Sequence, residues 1–404
     1  MRRVVACWLL GGAVVAASAV AEIDPDLLAG MKARSIGPAG MSGRIAAIDA
    51  VVADLDTVYA GAATGGLWKS TNGGLTWRPI FDEEKVAAVG AVAIFQPNPD
   101  IVWAGTGEGN VRNSASVGNG VYKSLDGGET WQHLGLEKTE RIHRILLHPS
   151  DPTVAYACAP GQEWGENAER GVFRTRDGGA TWEKVLYVDA RTGCGDLAMD
   201  PANPDKLFAA MWQFRRWPYF FRSGGPGSGL YVSRDAGGSW KRLQEEDGLP
   251  KGDLGRIGIA IAPSDPQVVY ALVEAEKSAL LRSADGGHSF TAVNEGINVA
   301  PRPFYFGDLR VHPTLPNRVY SLDYGVRVSD DGGANFRQLF DFDQIHGDNH
   351  ALWIHPTNPD LLYVGDDGGF RVSRDGGANV LFSANLPVAQ FYHIAVDNAV
   401  PYNV

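Results

Sequence analysis

Ser124-Leu-Asp-Gly-Gly-Glu-Thr-Trp131 decides the fold, because the same phrase returns along the whole chain. Ser70-Thr-Asn-Gly-Gly-Leu-Thr-Trp77 precedes it, and Thr175-Arg-Asp-Gly-Gly-Ala-Thr-Trp182 and Ser233-Arg-Asp-Ala-Gly-Gly-Ser-Trp240 follow. Looser copies run from Ser283 to Phe290, Ser329 to Phe336 and Ser373 to Val380. Seven copies spaced 44 to 58 residues apart mark a repeat architecture, in which no unit buries its apolar face alone.

The phrase describes a strand, a turn and a strand. Its Asp is expected to accept hydrogen bonds from the backbone N–H groups two and three residues on, closing the turn. Gly supplies the positive φ such a turn needs. The preceding Ser or Thr ties down the entering strand, and the Trp fills the space between adjacent sheets. On this reading Asn72, Asp126, Asp177, Asp235, Asp285, Asp331 and Asp375 are structural rather than catalytic. Outward from each phrase lies a second element: a pair of prolines two or three residues apart. Examples are Gln96-Pro-Asn-Pro, His148-Pro-Ser-Asp-Pro, Asp200-Pro-Ala-Asn-Pro, His312-Pro-Thr-Leu-Pro and His355-Pro-Thr-Asn-Pro. Such a pair cannot sit in a central ladder, so it fixes a turn between strands. His148, His312 and His355 are therefore turn residues rather than metal ligands.

Each unit then parses into four strands, in the second unit Val89–Ile94, Ile101–Gly105, Gly120–Ser124 and Thr130–His133. Seven four-stranded antiparallel blades with these turns close into an all-β, seven-bladed β-propeller. The propeller is placed at residues 37–388, after a lead-in at 22–36. Phe391-Tyr-His-Ile-Ala-Val-Asp397 reads as one more first strand, which either closes the ring or opens a further blade. The first unit already has four strands, so residues 389–404 are read as the start of a further blade or second propeller. Further domains are then expected beyond Val404.

Residues 1–21 read as a secretory signal: Arg2 and Arg3, an apolar run from Val4 to Val15, and Ala19-Val20-Ala21 as the cleavage site. The protein is expected to be exported, periplasmic or extracellular, with no membrane span after cleavage, since the apolar run is short. The chain carries a net charge of −11, and loss of the two arginines leaves −13. An acidic exported chain argues against a nucleic-acid partner. After cleavage only Cys158 and Cys194 remain, in neighbouring repeats, either as one bridge or as two buried thiols.

The repeated boxes with proline turns resemble the BNR/Asp-box superfamily of propellers, which includes sialidases, xyloglucan-cleaving glycoside hydrolases and sortilin-type receptors. Three stretches narrow the resemblance: Ser35-Ile-Gly-Pro-Ala-Gly-Met-Ser-Gly-Arg44, Gly105-Thr-Gly-Glu-Gly-Asn-Val-Arg-Asn-Ser114, and Ala209 to Arg216 with Ser223 to Gly229. These are similar to bacterial exported sortilin N-terminal-like (Vps10-type) or BNR "glycosyl hydrolase" proteins. The resemblance implies the fold more directly than a reaction. It implies an Arg-Ile-Pro motif for sialidases, which is missing. For the xyloglucan-cleaving group it implies an Asp before a Gly-Gly in the first blade and a second propeller. The matching stretch here, Ala62-Ala63-Thr64-Gly65-Gly66, has no acid.

In a blade, the loops between strands 2 and 3 share one face with the links from strand 4 to the next blade. That face carries the insertions. Gly107 to Gly118 brings Glu108, Asn110, Arg112 and Asn113; Gly161 to Arg170 brings Glu163, Trp164 and Glu166. Gln213 to Gly229 brings Arg215, Arg216, Trp217, Tyr219, Phe220, Phe221 and Arg222. Adjacent insertions of aromatics, arginines and carboxylates suit sugar rings or an extended peptide, with Glu108, Asn110, Arg112, Trp164, Arg215, Arg216, Trp217 and Tyr219 as ligand-binding candidates. A self-packed aromatic lid over the channel, or a docking face for further downstream domains, is the alternative. Asp196 and Asp308 stand four residues before their turns, as Arg144 does, so all three occupy equivalent inner-strand positions. With Glu108 the two aspartates are the catalytic candidates; an ion pair between Arg144 and Asp196 is the competing reading. His346, Asp348 and His350 alternate along an expected strand and are the candidates for a metal, although none is assigned and no cofactor is expected. The leading function is a peptide-, protein- or glycan-binding module. The alternative is a glycoside hydrolase acting through the channel-mouth carboxylates.

Overall fold

The chain falls into two units, Met1–Gly37 and Pro38–Val404. The computed structural model describes residues 42–404 except 297, 298, 390–392, 402 and 404, all within the second unit. The signal and lead-in readings, and Phe391 and Tyr392 of the expected extra strand, lie outside the described residues. From His393 onward the described residues form no strand.

Seven antiparallel sheets follow one another in chain order. Blade one is β1 (Ile45–Ala50), β2 (Thr57–Ala62), β3 (Leu67–Thr71) and β4 (Arg78–Pro79). Blade two is β5 (Val89–Ile94), β6 (Val102–Thr106), β7 (Val121–Ser124) and β8 (Gln132–His133). Blade three is β9 (Arg144–Leu147) to β12 (Glu183–Leu186), with β10 at Ala155–Ala159 and β11 at Gly171–Thr175. Blade four holds β13 (Thr192–Asp200), β14 (Asn203–Trp217), β16 (Gly229–Ser233) and β17 (Lys241–Arg242); β15 (Phe220–Ser223) folds back on the overlong β14. Blades five, six and seven begin with β18 (Ile257–Ile261), β22 (Asp308–Val311) and β26 (Asn349–Ile354). Each inner strand lies against the next, and β26 returns to β1, so the protein is a seven-bladed β-propeller.

Apolar side chains from adjacent blades interleave between the sheets. Tyr59, Leu67, Ile80 and Phe81 of blade one, for example, pack with Val89, Val102 and Tyr122 of blade two. Each such aliphatic side chain contributes about 1.5–3 kcal/mol on burial.

The boxes explain how blades are joined. Ser124 Oγ accepts the Gly128 N–H at 2.8 Å and donates to Asp126 Oδ1 at 2.7 Å. Asp126 accepts the Thr130 N–H at 2.9 Å and its hydroxyl at 2.5 Å. The carboxylate thus reaches four residues on rather than two, and in blade five Asp285 also accepts the His288 N–H three residues on at 2.9 Å; it is the Ser hydroxyl that satisfies the nearer Gly amide. Trp131 Nε1 donates to the Ile80 carbonyl of blade one at 2.6 Å, and Trp182 Nε1 to Leu134 of blade two at 2.8 Å. Gly127 takes φ 69° within the turn, whereas in blade four Ala236 holds the equivalent left-handed position at φ 56°. In the proline turns, His355 Nδ1 accepts the N–H groups of Thr357 and Asn358 at 3.2 and 3.0 Å, confirming the turn role of this histidine.

Among the described residues the ring closes without exchanging a strand. Ser42 Oγ sits against the carbonyls of Leu386 and Val388 at 3.0 and 2.7 Å, and Trp77 Nε1 donates to Ser383 Oγ at 2.8 Å. Tyr363 OH of blade seven donates to the Leu55 carbonyl of blade one at 3.1 Å. Cys158 of β10 and Cys194 of β13 form a disulfide between blades three and four, their Cα atoms 5.1 Å apart.

Candidate functional site

The insertion-bearing face holds two assemblies, an aromatic lid and a polar cluster. The lid is built by the lengthened β14, whose Trp212 and Phe214 stack with ring centroids 4.3 Å apart. Val111 from the blade-two insertion is buried against them, with Phe221 of β15 and Phe304 from the link into blade six. Arg216 ties the three insertions together. Its Nε meets Glu163 Oε1 of blade three at 2.8 Å, and its Nη1 donates to Asn113 Oδ1 of blade two at 2.6 Å. Arg141 holds the other Glu163 oxygen at 3.1 Å. Burial pushes the Glu163 carboxyl up to about 7, with Arg141 and Arg216 opposing it. Beyond the lid, the hairpin tip is open: Tyr219 is 89% exposed, Phe220 is exposed, and the Arg215 guanidinium lies 4.7 Å over the half-buried Trp217 ring; Trp164 of the blade-three insertion is exposed as well.

The polar cluster starts at Arg44, just before β1. Its Nη1 meets Glu108 Oε1 at 2.6 Å and its Nε meets Asp367 Oδ1 at 2.6 Å. Glu108 is completely buried, and its second oxygen has no hydrogen-bond partner among the described residues. Asp367 also contacts His350 Nε2 at 2.9 Å and Arg112 at 3.4 Å. Burial alone would raise the Asp367 carboxyl, but His350 and Arg44 hold it well below the usual carboxylate range. The buried Asn110 bridges His350 Nδ1 and Arg256 Nη2, each at 3.1 Å, and Arg256 in turn lies 3.1 Å from His143 Nε2. Gly109 allows this approach: a Cβ there would stand 2.2 Å from His143 Nδ1.

At the channel, Arg144 pairs with Asp196 at 2.9 Å and also with Asp308. Asp196 accepts the backbone N–H groups of Leu197 and Ile259. Burial opposes ionisation of Asp308, but Arg144, Arg310, His143 and Arg256 outweigh it and hold its carboxyl far below the usual range. The channel between the inner strands encloses a cavity of about 100 Å³, with His143, Arg144, Arg310 and His350 in its wall.

The sequence-named residues are therefore distributed over both assemblies. Glu108, Asn110 and Arg112 join the polar cluster, Asp196 and Asp308 flank Arg144, and Arg216 straps the lid. Trp164, Arg215, Trp217 and Tyr219 lie outside the cluster. The shared strand face expected for His346, Asp348 and His350 does not form. β26 begins only at Asn349, and Asp348 is left-handed at φ 62°. His350 turns to Asp367, Asp348 lies 3.9 Å from Arg302, and His346 Nδ1 sits against the Gly347 carbonyl. Among the described residues no three His, Cys, Asp or Glu side chains group as a metal site. Sequence reasoning did not connect Arg44, Tyr305, Arg256 or Asp367 with a site. Asp367 sits in Asp366-Asp367-Gly-Gly, the turn between β27 (Leu362–Asp366) and β28 (Gly369–Ser373).

Fold and boxes define the class: a seven-bladed Asp-box β-propeller. The comparisons agree with that class. A sequence profile for the sortilin family (Sortilin, neurotensin receptor 3) matches residues 119–249. A xyloglucanase of Paenibacillus sp is 24% identical over 331 residues, covering 71% of this chain and 30% of the relative. An oligoxyloglucan-reducing end-specific xyloglucanase of Emericella nidulans is 28% identical over 179 residues, 37% of this chain and 21% of its own. The chain thus spans less than a third of the length of these relatives. Among solved structures, the GH74 xyloglucanase from Xanthomonas campestris superposes with a TM-score of 0.61 at 20% identity, over 85% of this chain and 53% of that one. YCF48 bound to D1 peptide gives 0.54 at 17% identity, over 84% and 98%. The chain resembles Asp-box propellers of the sortilin and glycosyl-hydrolase kinds.

Proposed function

We propose that this chain is a propeller of an exported glycoside hydrolase, with the polysaccharide lying across the insertion-bearing face. The observation that carries this is the likeness to xyloglucanases along 71% of the chain. The reading as an exported protein is supported by the signal-like first 21 residues and by the Cys158–Cys194 disulfide, a bond that persists in oxidising compartments.

Among the carboxylates of the site, accessibility selects the reacting group. The side chains of Glu108, Asp196 and Asp308 are 0%, 4% and 7% exposed, whereas Asp367 is 16% exposed at the cluster's edge. Asp367 is held ionised by Arg44 and His350, which fits a nucleophilic or charge-stabilising carboxylate rather than a proton donor. The matching acid is then supplied from elsewhere in the protein. The test is reducing-sugar release from xyloglucan and other plant and bacterial polysaccharides by the full chain. Asp367→Asn is expected to lower turnover by at least about 100-fold; because it also removes the anion held by Arg44 and His350, turnover is compared on folded protein with the melting temperature measured alongside. Turnover preserved in Asp367→Asn removes this residue from the reaction.

A non-catalytic binding module is the second reading. The near-complete burial of Asp196 and Asp308 against Arg144 favours it, since it withdraws two carboxylates of the channel from contact with a substrate. A folded chain that releases no sugar but retains glycan affinity supports this module instead.

A further inference from the structure

We infer that Arg112 and Arg302 form a recognition site for a carboxylate-bearing sugar, a uronate unit of an acidic polysaccharide. The inference rests on reading the insertion-bearing face as the carbohydrate side, and it adds a charge preference that a neutral glucan would not require.

Three guanidiniums crowd one aromatic ring. The Cζ atoms of Arg44, Arg112 and Arg302 lie 5.6, 5.1 and 4.8 Å from the centroid of Tyr305. In a chain of net charge −11, such a concentration of cations calls for compensation nearby. Asp367 supplies it for Arg44, with contacts of 2.6 and 3.3 Å, and it also engages His350. For Arg112 it leaves a single contact at 3.4 Å, and Arg112 completes that side by donating to Tyr305 OH at 3.1 Å. Arg302 has less still: among the described residues its guanidinium has one carboxylate neighbour, Asp348, at 3.9 Å. That separation is too long for a hydrogen bond.

Exposure separates the three in the same way. Arg44 is 5% exposed and belongs to the frame, while Arg112 and Arg302 are 28% and 34% exposed and present donors to the solvent. Both sit on the insertion-bearing face, Arg112 in the blade-two loop and Arg302 in the link before β22. A planar guanidinium receives a carboxylate with two parallel N–H donors, a geometry a lysine cannot reproduce. Arg302 also lies 5.3 Å over Phe304, a lid residue, so an apolar surface borders the donors where the hydrophobic side of a pyranose can rest.

The experiment is calorimetric titration of the full chain with a galacturonate trisaccharide and with its methyl ester. The ester removes the charge and adds a methyl group at each carboxyl while leaving the sugar rings unchanged. The acid is expected to bind at least about 10-fold more tightly than the ester, and more weakly as salt is raised. Arg112→Gln and Arg302→Gln should each reduce affinity for the acid by at least about 10-fold with no loss for the ester, and Arg302→Lys should recover only part. Melting temperatures measured alongside separate loss of binding from loss of folding; Arg302→Gln, the more exposed site, is the safeguard if Arg112→Gln is unstable. Equal affinity for acid and ester, binding of neither, or an unchanged Arg112→Gln/Arg302→Gln double variant overturns the site. Tighter binding of a peptide C-terminal carboxylate than of the uronate overturns the sugar assignment. Discrimination retained without polysaccharide hydrolysis sinks the hydrolase reading alone; hydrolysis without discrimination sinks this one alone.

Discussion

The two faces of this ring are built on opposite principles. On the box face every blade solves the same problem with the same bonds: a Ser or Thr hydroxyl on a Gly amide, and an Asp or Asn on the residue four further along. On the insertion face the blades share no such common motif. Blade one contributes an arginine, blade two a buried glutamate, blade four an extended hairpin and blade seven an aspartate. Repetition makes the first face a scaffold whose parts are interchangeable. The second face is a single object, in which each part holds several others.

The largest effect should come from the channel, where the inner strands outside the boxes meet. Arg144→Met leaves Asp196 and Asp308 without their shared cation in a buried setting, and is expected to cost about 3–5 kcal/mol in urea unfolding. A cost below about 1 kcal/mol would mean that water or neighbouring arginines replace it, and the contrast would weaken.

A single box is expected to matter less. Ser124→Ala removes a buried acceptor and donor, with an expected loss of about 1–2 kcal/mol. The same substitution at Ser70, Ser283 or Ser373 should give values equal within about 0.5 kcal/mol, because the bonds are the same. Widely different losses would show that the boxes are not interchangeable.

Smaller near neutral pH, and opposite in sign, are the responses of the two faces to protons. Hydrogen bonds hold the box carboxyls of Asp126, Asp177, Asp235 and Asp331 down to about 2, so their contribution is complete above the ordinary Asp value and fades as pH falls from about 4 towards 2. Glu163 is raised to about 7 by burial, so the folded chain keeps a proton that the unfolded chain has released. Its contribution therefore declines as pH rises from about 4.5 to about 7. Glu163→Gln should flatten that decline, measured as melting temperature against pH, and leave the acid limb unchanged.

The smallest change is a gain. Ala236 occupies a left-handed turn position that glycine fills in the other boxes, and Ala236→Gly is expected to stabilise by about 0.5–1 kcal/mol. Destabilisation would mean that the side chain packs usefully enough to offset the strain.

What could be read from the sequence follows the same division. The boxes and proline turns are local: their partners lie two to four residues apart, so each motif carries its own geometry, and seven copies confirm one another. The strand limits Val89–Ile94 emerged from that framework unchanged. The pairing of Arg144 with Asp196 was also legible, because equal offsets from equivalent turns place residues at equivalent heights. The polar cluster was not. Arg44 and Asp367 are 323 positions apart, and neither carries a signal that distinguishes it from an ordinary loop residue. Asp348 shows the complementary failure: one left-handed residue ended an alternation that the letters alone supported.

The clasp between Ser42 and Val388 has a topological consequence. Since blades one and seven each complete their sheets from their own segment, the order in which the blades are connected is separable from the order in which they stand. A circularly permuted gene that joins residue 388 to residue 42 and opens the chain in the link before blade three would leave every described sheet whole. The ring behaves as a bracelet of seven beads, and the position of its fastening is a property of the thread rather than of the beads.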